Sequence, residues 1–228
     1  MNWSPYRAVV FDMDGTLVDS AAAICADLNA AIETVTDARY TANDVLPFLG
    51  EGVRVLIERA VDDLAARQCL YQGLTSVQDT VYRRYQEVVM TTDSDAKVRV
   101  YDGMTDVLRR LRTAGFILGV YSNKNHEPAN RIAESLFPGL FDFVLGQKEG
   151  QVRKPDTEAL AGMLKEHGVY IRDTIYVGDG DTDIHTGRNG RMKTVAVAWG
   201  YRNRALLEKM KPDRLLDCPE ELLREIGV

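Results

Sequence analysis

Ala8-Val9-Val10-Phe11-Asp12-Met13-Asp14-Gly15-Thr16-Leu17 is the stretch on which the fold turns. Four apolar, β-prone residues run without alternation and stop at two acids and a glycine, the pattern of a short strand buried on both faces. Such a strand belongs to a parallel sheet covered by helices, whose working groups gather at the strands' carboxyl ends. In a continuing strand Asp12 and Asp14 would point the same way. One carboxylate of such a pair can attack phosphorus while the other carries a proton to the leaving oxygen, and Gly15 lets the backbone approach a phosphate closely. The competing reading of a bare Asp-x-Asp is an acidic helix N-cap after the strand.

The same logic recurs downstream. FILGVY (116–121) ends at Ser122, TIYV (174–177) ends at Gly178-Asp179, and TVAVA (194–198) follows. Helical periodicity over 107–114, 158–167 and 182–189 separates these runs, which predicts an α/β fold: a doubly wound parallel sheet with right-handed crossovers. Between residues 18 and 95 the pattern changes to apolar residues at helical spacing. Ala22, Ile24, Cys25, Leu28 and Ile32 share one face; Val53, Leu56, Ile57, Ala60, Val61 and Leu64 another; Val81, Tyr85, Val88 and Val89 a third. The expected organisation is a Rossmann-like core of residues 1–17 and 96–228, with an all-helical cap domain, 18–95, inserted.

With 45% apolar and 27% charged residues, the 228-residue chain reads as an ordinary globular protein with room for a core and an insertion. Its net charge of −6 argues against a nucleic-acid partner and means that any bound phosphate needs a local cation. Cys25, Cys69 and Cys218 lie far apart, so neither a disulfide framework nor a zinc site is expected. The stretch with Trp3, Pro5 and Arg7 lacks a signal-peptide layout, and no apolar run is long enough to span a bilayer; no membrane association and a cytoplasmic location are the expectation.

Three further elements carry candidate chemistry. Gly178-Asp179-Gly180-Asp181-Thr182-Asp183 places carboxylates where a strand ends and a helix begins; they suit magnesium, or else cap the helix, as Asp181 is expected to do. In Val120-Tyr121-Ser122-Asn123-Lys124 a hydroxyl and backbone N–H groups at a strand end suit phosphate oxygens. In Arg153-Lys154-Pro155-Asp156 the proline biases Lys154 towards an extended backbone and suits the opening of the following helix; the ammonium could neutralise a phosphate and an attacking carboxylate. Singly, the Ser122 and Lys154 elements read more readily as surface decoration.

Taken in order, FDMDGTLVDS, Ser122, Lys154 in RKPD and GDGDTD resemble the haloacid dehalogenase-like phosphatase superfamily, in the subgroup with a small helical cap after the first motif. The resemblance spans nearly the whole chain. It implies that Asp12 is the nucleophile and Asp14 the general acid and later base, that Ser122, Asn123 and Lys154 hold the phosphoryl group, and that Mg2+ is bound by Asp12, the main-chain carbonyl of Asp14 and Asp179, with Asp183 direct or one step removed. One departure is Gly187-Arg188-Asn189-Gly190-Arg191-Met192 where the family often has an Ala-Gly-Met helix end; Gly190 still supplies a stop.

Within the superfamily the chain is most similar to phosphoglycolate phosphatases, through Leu49-Gly50-Glu51-Gly52-Val53-Arg54 with Leu56-Ile57-Glu58-Arg59-Ala60, and through Ala198-Trp199-Gly200-Tyr201-Arg202. The implied partner is a small phosphorylated metabolite, with Arg54 either meeting its second anionic group or standing as a solvated helix residue. Trp199 and Tyr201 read as packing residues. A sugar-phosphate phosphatase, a pyrophosphatase and a phosphomutase are alternatives, as is a non-catalytic phosphate-binding or regulatory protein. A dehalogenase has no use for Asp14, and a phosphonate hydrolase would draw an amine from the cap, where residues 18–96 hold no lysine. His126, His167 and His185 are scattered, and His126 suits a helix start.

Overall fold

The structure, a computed structural model, describes residues 6–68 and 73–228. Trp3, Pro5 and Cys69 lie outside the described residues. The chain forms two units, one ending at Asp19 and resuming at Val100, the other Ser20–Arg99.

Six parallel strands make the sheet of the first unit: β1 (Ala8–Phe11), β2 (Ile117–Asn125), β3 (Phe143–Gln147), β4 (Thr174–Gly178), β5 (Lys193–Val197) and β6 (Arg214–Leu216). Their order is β3-β2-β1-β4-β5-β6, so the winding reverses between β1 and β4 and opens a crevice at their carboxyl ends. Every residue of β1 and β4 is buried, as strands flanked and covered on both faces must be. Val10, Tyr121, Phe143, Leu160, Leu164 and Tyr176 belong to one continuous apolar cluster. The fully buried Tyr176 keeps its hydroxyl satisfied by donating to Tyr121 O at 3.0 Å.

The unit Ser20–Arg99 is helical, with α1 (Ala21–Ile32), α2 (Ala42–Val45), α3 (Val53–Gln68) and α4 (Leu74–Thr91). The predicted faces form its interior, with three exceptions: Ala22 is exposed, and Val53 and Val89 are only partly buried. Inside it the buried Asp27 accepts hydrogen bonds from Thr92 and Ser94. The crossovers of the sheet unit carry α5 (Met104–Thr113), α6 (His126–Leu136), α7 (Glu158–Glu166), α8 (Asp181–Asn189) and α9 (Arg204–Met210), and α10 (Glu220–Ile226) ends it. No helix among the described residues is long and apolar enough to cross a membrane. Cys25 is buried, and neither it nor Cys218 is disulfide-bonded.

The structure departs from the sequence expectations at identifiable points. β3 and β6 were not expected because they are edge strands of mixed burial, without an apolar run of the β1 kind. β2 continues past Tyr121 to Asn125 through a register shift against β3, and such an irregularity re-aims the side chains at a strand end. Pro155 does not open a helix, since α7 starts at Glu158. Gly190 ends α8 with φ −79°, and the left-handed residue is Arg191. A side chain at Gly190 would instead meet Met192 and Ile171, so close packing is what glycine serves there.

Gly146 of β3 is packed against the irregular end of β2: a Cβ there would lie 2.6 Å from His126 Cα and 2.8 Å from Lys124 O. Both neighbours are main chain, so Gly146→Ala must displace backbone. Thermal unfolding is expected to show a loss of about 1–3 kcal/mol, and an unchanged midpoint would contradict this packing.

Candidate active site

The crevice between β1 and β4 is where the chemistry converges. Asp12 follows the last residue of β1, Asp179 follows β4, and Asp183 lies in the first turn of α8. Lys154 enters from the β3–α7 loop. Its Nζ donates to Asp12 Oδ1 and Asp183 Oδ1, each at 2.7 Å, and its side chain is 1% exposed. An ammonium this buried requires partners. Burial disfavours its charge, but Asp12 and Asp183 more than offset that and hold its pKa well above the ordinary value. The backbone of Lys154 is fixed too: its N–H donates to Asn123 Oδ1 at 2.8 Å, and Asn123 Nδ2 donates to Lys154 O at 3.4 Å. The side-chain amide of Asn123 thus aligns Lys154.

Carboxylate oxygens of Asp12, Asp179 and Asp183 all lie within 4.8 Å of one another. Burial is the largest effect on Asp12, and with the charge of Asp183 it outweighs Lys154 and pushes the carboxyl up to about 6. Asp179 is raised well above the usual range by burial and by Asp183 and Asp12, although Tyr201 N–H donates to it at 2.6 Å. One ammonium among three buried carboxylates leaves negative charge to be neutralised, and hard oxygen donors in this number suit a divalent cation. The space around Asp179 tolerates no side chains: Gly15, at φ +87°, would place a Cβ 2.5 Å from Asp179 Oδ2, and Gly200 would place one 2.4 Å from Gly15 O.

Asp183 combines both readings of its cluster. Its Oδ2 accepts from Gly180 N–H at 3.0 Å, closing the start of α8, while Oδ1 serves Lys154. Asp181, the first residue of α8, pairs with Arg202 at 3.4 Å. Asp14 is no helix cap, because among the described residues no helix begins before Ala21. Nor do Asp12 and Asp14 share one continuing strand, since β1 ends at Phe11. The two carboxylates meet different lysines: Asp14 pairs with Lys124, Nζ–Oδ1 3.2 Å. Sequence reasoning quoted Lys124 without giving it a role; a lysine two residues past Ser122 at a strand end, in an acidic chain, was the available signal. Ser122 is buried, and its Oγ accepts from Lys124 N–H at 3.3 Å.

Trp199 and Tyr201 do more than fill space. Trp199 Nε1 donates to Thr16 O at 3.1 Å, and Tyr201 supplies the amide that meets Asp179, so this loop braces the turn after β1. His126 is the first residue of α6, and burial with Lys148 lowers its pKa; His185 is exposed. Arg54, in the helical unit, pairs with Glu58 at 3.0 Å and Asp79 at 2.7 Å, which matches a helix-surface residue.

A doubly wound sheet that collects a buried lysine and three carboxylates at its switch point defines a phosphoester hydrolase. The chain belongs to the haloacid dehalogenase-like hydrolase family, whose profile matches residues 9–197. It is 29% identical over 222 residues to a phosphoglycolate phosphatase of Aquifex aeolicus, covering 96% of this chain and 95% of that one. It is 28% identical over 218 residues to the pyrophosphatase PpaX of Bacillus cereus, covering 95% and 94%. A solved structure from Lactobacillus delbrueckii subsp. bulgaricus, provisionally assigned as a phosphoglycolate phosphatase, superposes with a TM-score of 0.86 at 33% identity, covering 97% of this chain and 98% of that one.

The raised Asp12 carboxyl sets a pH dependence. Because its pKa of about 6 lies above the ordinary 3.8, the metal-free fold gains a proton before the unfolded chain does. This group therefore destabilises the fold above about pH 6 and ceases to do so as pH falls towards 4. Cation and proton compete for the same oxygens. Added Mg2+ should raise the thermal midpoint at pH 8, with the increment fading as pH drops through 6; an increment equal at pH 5 and pH 8 would refute the cluster as its source.

Proposed function

We propose that the chain is a magnesium-dependent phosphomonoesterase working through an aspartyl phosphate on Asp12, with a small phosphorylated acid of the phosphoglycolate type as substrate. The observation that carries this reading is Lys154, held between Asp12 and Asp183 and ready to neutralise oxygen charge where the nucleophile stands. In the first step an Asp12 oxygen bonds to phosphorus, the bond to the leaving oxygen breaks, and Asp14 gives that oxygen its proton. In the second, water attacks phosphorus, the Asp12–phosphorus bond breaks, and Asp14 takes the water's proton. Ser122 and Lys154 hold the phosphoryl oxygens. Asp12, Asp179 and Asp183 with the Asp14 carbonyl would hold the ion, which supplies charge neutralisation for a transfer governed by alignment and electrostatics. The helical unit, taken as residues 18–95, serves as a cap.

Pyrophosphate hydrolysis is the second reading, favoured by the likeness to PpaX over nearly the full length. With Mg2+, the wild type should release phosphate from para-nitrophenyl phosphate, and Asp12→Asn should reduce kcat by about a thousand-fold or more. A wild type as inactive as the mutant would instead favour phosphate binding without turnover. A panel of phosphate esters and pyrophosphate should rank phosphoglycolate first in kcat/KM; several sugar phosphates or pyrophosphate far above it would overturn the substrate and leave the reaction standing.

A further inference from the structure

Lys124 has no part in the chemistry above, yet its ammonium grips both oxygens of Asp14 almost equally, at 3.2 and 3.3 Å. The two side chains are 13% and 17% exposed, so the pair is screened less than a bridge on open surface. Asp14 itself lies outside the six strands, just before the turn at residues 15–17, with an isolated bridge to Val18. Lys124, by contrast, is anchored. It lies within β2 where the register shifts, its N–H donates to Ser122 Oγ, and Gly146 packs on its carbonyl. A group just outside the six-stranded sheet is thus held by a group on it.

We propose that Lys124 is a positioning residue for Asp14, keeping the carboxyl aimed where it exchanges a proton with the leaving oxygen and then with water. This rests on the two-step reading above. Lys124 itself forms no bond and transfers no proton in either step. The reading differs from two simpler ones, a pair of structural value only and a direct phosphate ligand, because each of those affects every ester alike. Loss of proton delivery does not: an aryl ester leaves as a stabilised phenolate, whereas an alkyl ester needs its oxygen protonated.

The test compares kcat/KM, which covers steps through the first P–O cleavage, for para-nitrophenyl phosphate and phosphoglycolate with Mg2+. Lys124→Met is expected to lower the alkyl ester about ten- to hundred-fold while the aryl ester stays within about threefold. Lys124→Arg should recover most of the loss. Added to Asp14→Asn, Lys124→Met should change little further, because the group it positions is already gone. Equal losses on both esters, no loss on either, or full additivity with Asp14→Asn would overturn the proposal. Should Lys124→Met fold poorly, Lys124→Gln takes its place under the same criteria. A wild type that cleaves neither ester would sink the two-step reading and this proposal together, whereas an active wild type with an indifferent Lys124→Met sinks the positioning role alone.

Discussion

The buried ammonium of Lys154 is the constraint around which the sheet unit is arranged. With 1% of its side chain exposed it has no water to turn to, and it is satisfied by carboxylates from β1's end and α8's first turn. Removing one partner from so buried an arrangement typically costs about 3–5 kcal/mol. Asp12, the helix start and the lysine loop are therefore held in one geometry by the same electrostatics that the proposed reaction would use.

Around that contact each supporting group has a specific physical task. Asn123 fixes the main chain of Lys154, Tyr201 N–H and the absence of side chains at Gly15 and Gly200 fix Asp179, and Trp199 ties its own loop to Thr16. Tyr176 lies beneath, its ring 5.8 Å from the lysine nitrogen and its hydroxyl 3.3 Å from Asp183. Burial, joined by the negative excess that three acids facing one base leave, raises the carboxyls of Asp12 and Asp179 and makes a divalent ion a fitting occupant.

The likeness to relatives with two different substrate names follows from this arrangement. On the proposed reading Asp12, Ser122 and Lys154 address a phosphoryl group, and phosphoglycolate and pyrophosphate both present one. What distinguishes them is the leaving group. The arginine that sequence reasoning singled out for that task, Arg54, is already occupied by Glu58 and Asp79.

Much of this was legible in the chain itself. The uninterrupted AVVF run, the acids that stop it and the switch to helical spacing after Val18 announce a parallel sheet with a helical insertion, because burial on two faces and the 3.6-residue period both leave local signatures. Asp12, Lys154, Asp179 and Asp183, which the structure brings together, were grouped through the family resemblance of the motifs that carry them. Tertiary structure alone decided the partners. Lys124 meets Asp14 across 110 residues, Asn123 is turned to the Lys154 backbone, and β3 and β6 exist as edges whose stability comes from pairing. Local sequence encodes periodicity and turn chemistry over a few residues, whereas a side chain's partner is set by which strands the winding order makes neighbours.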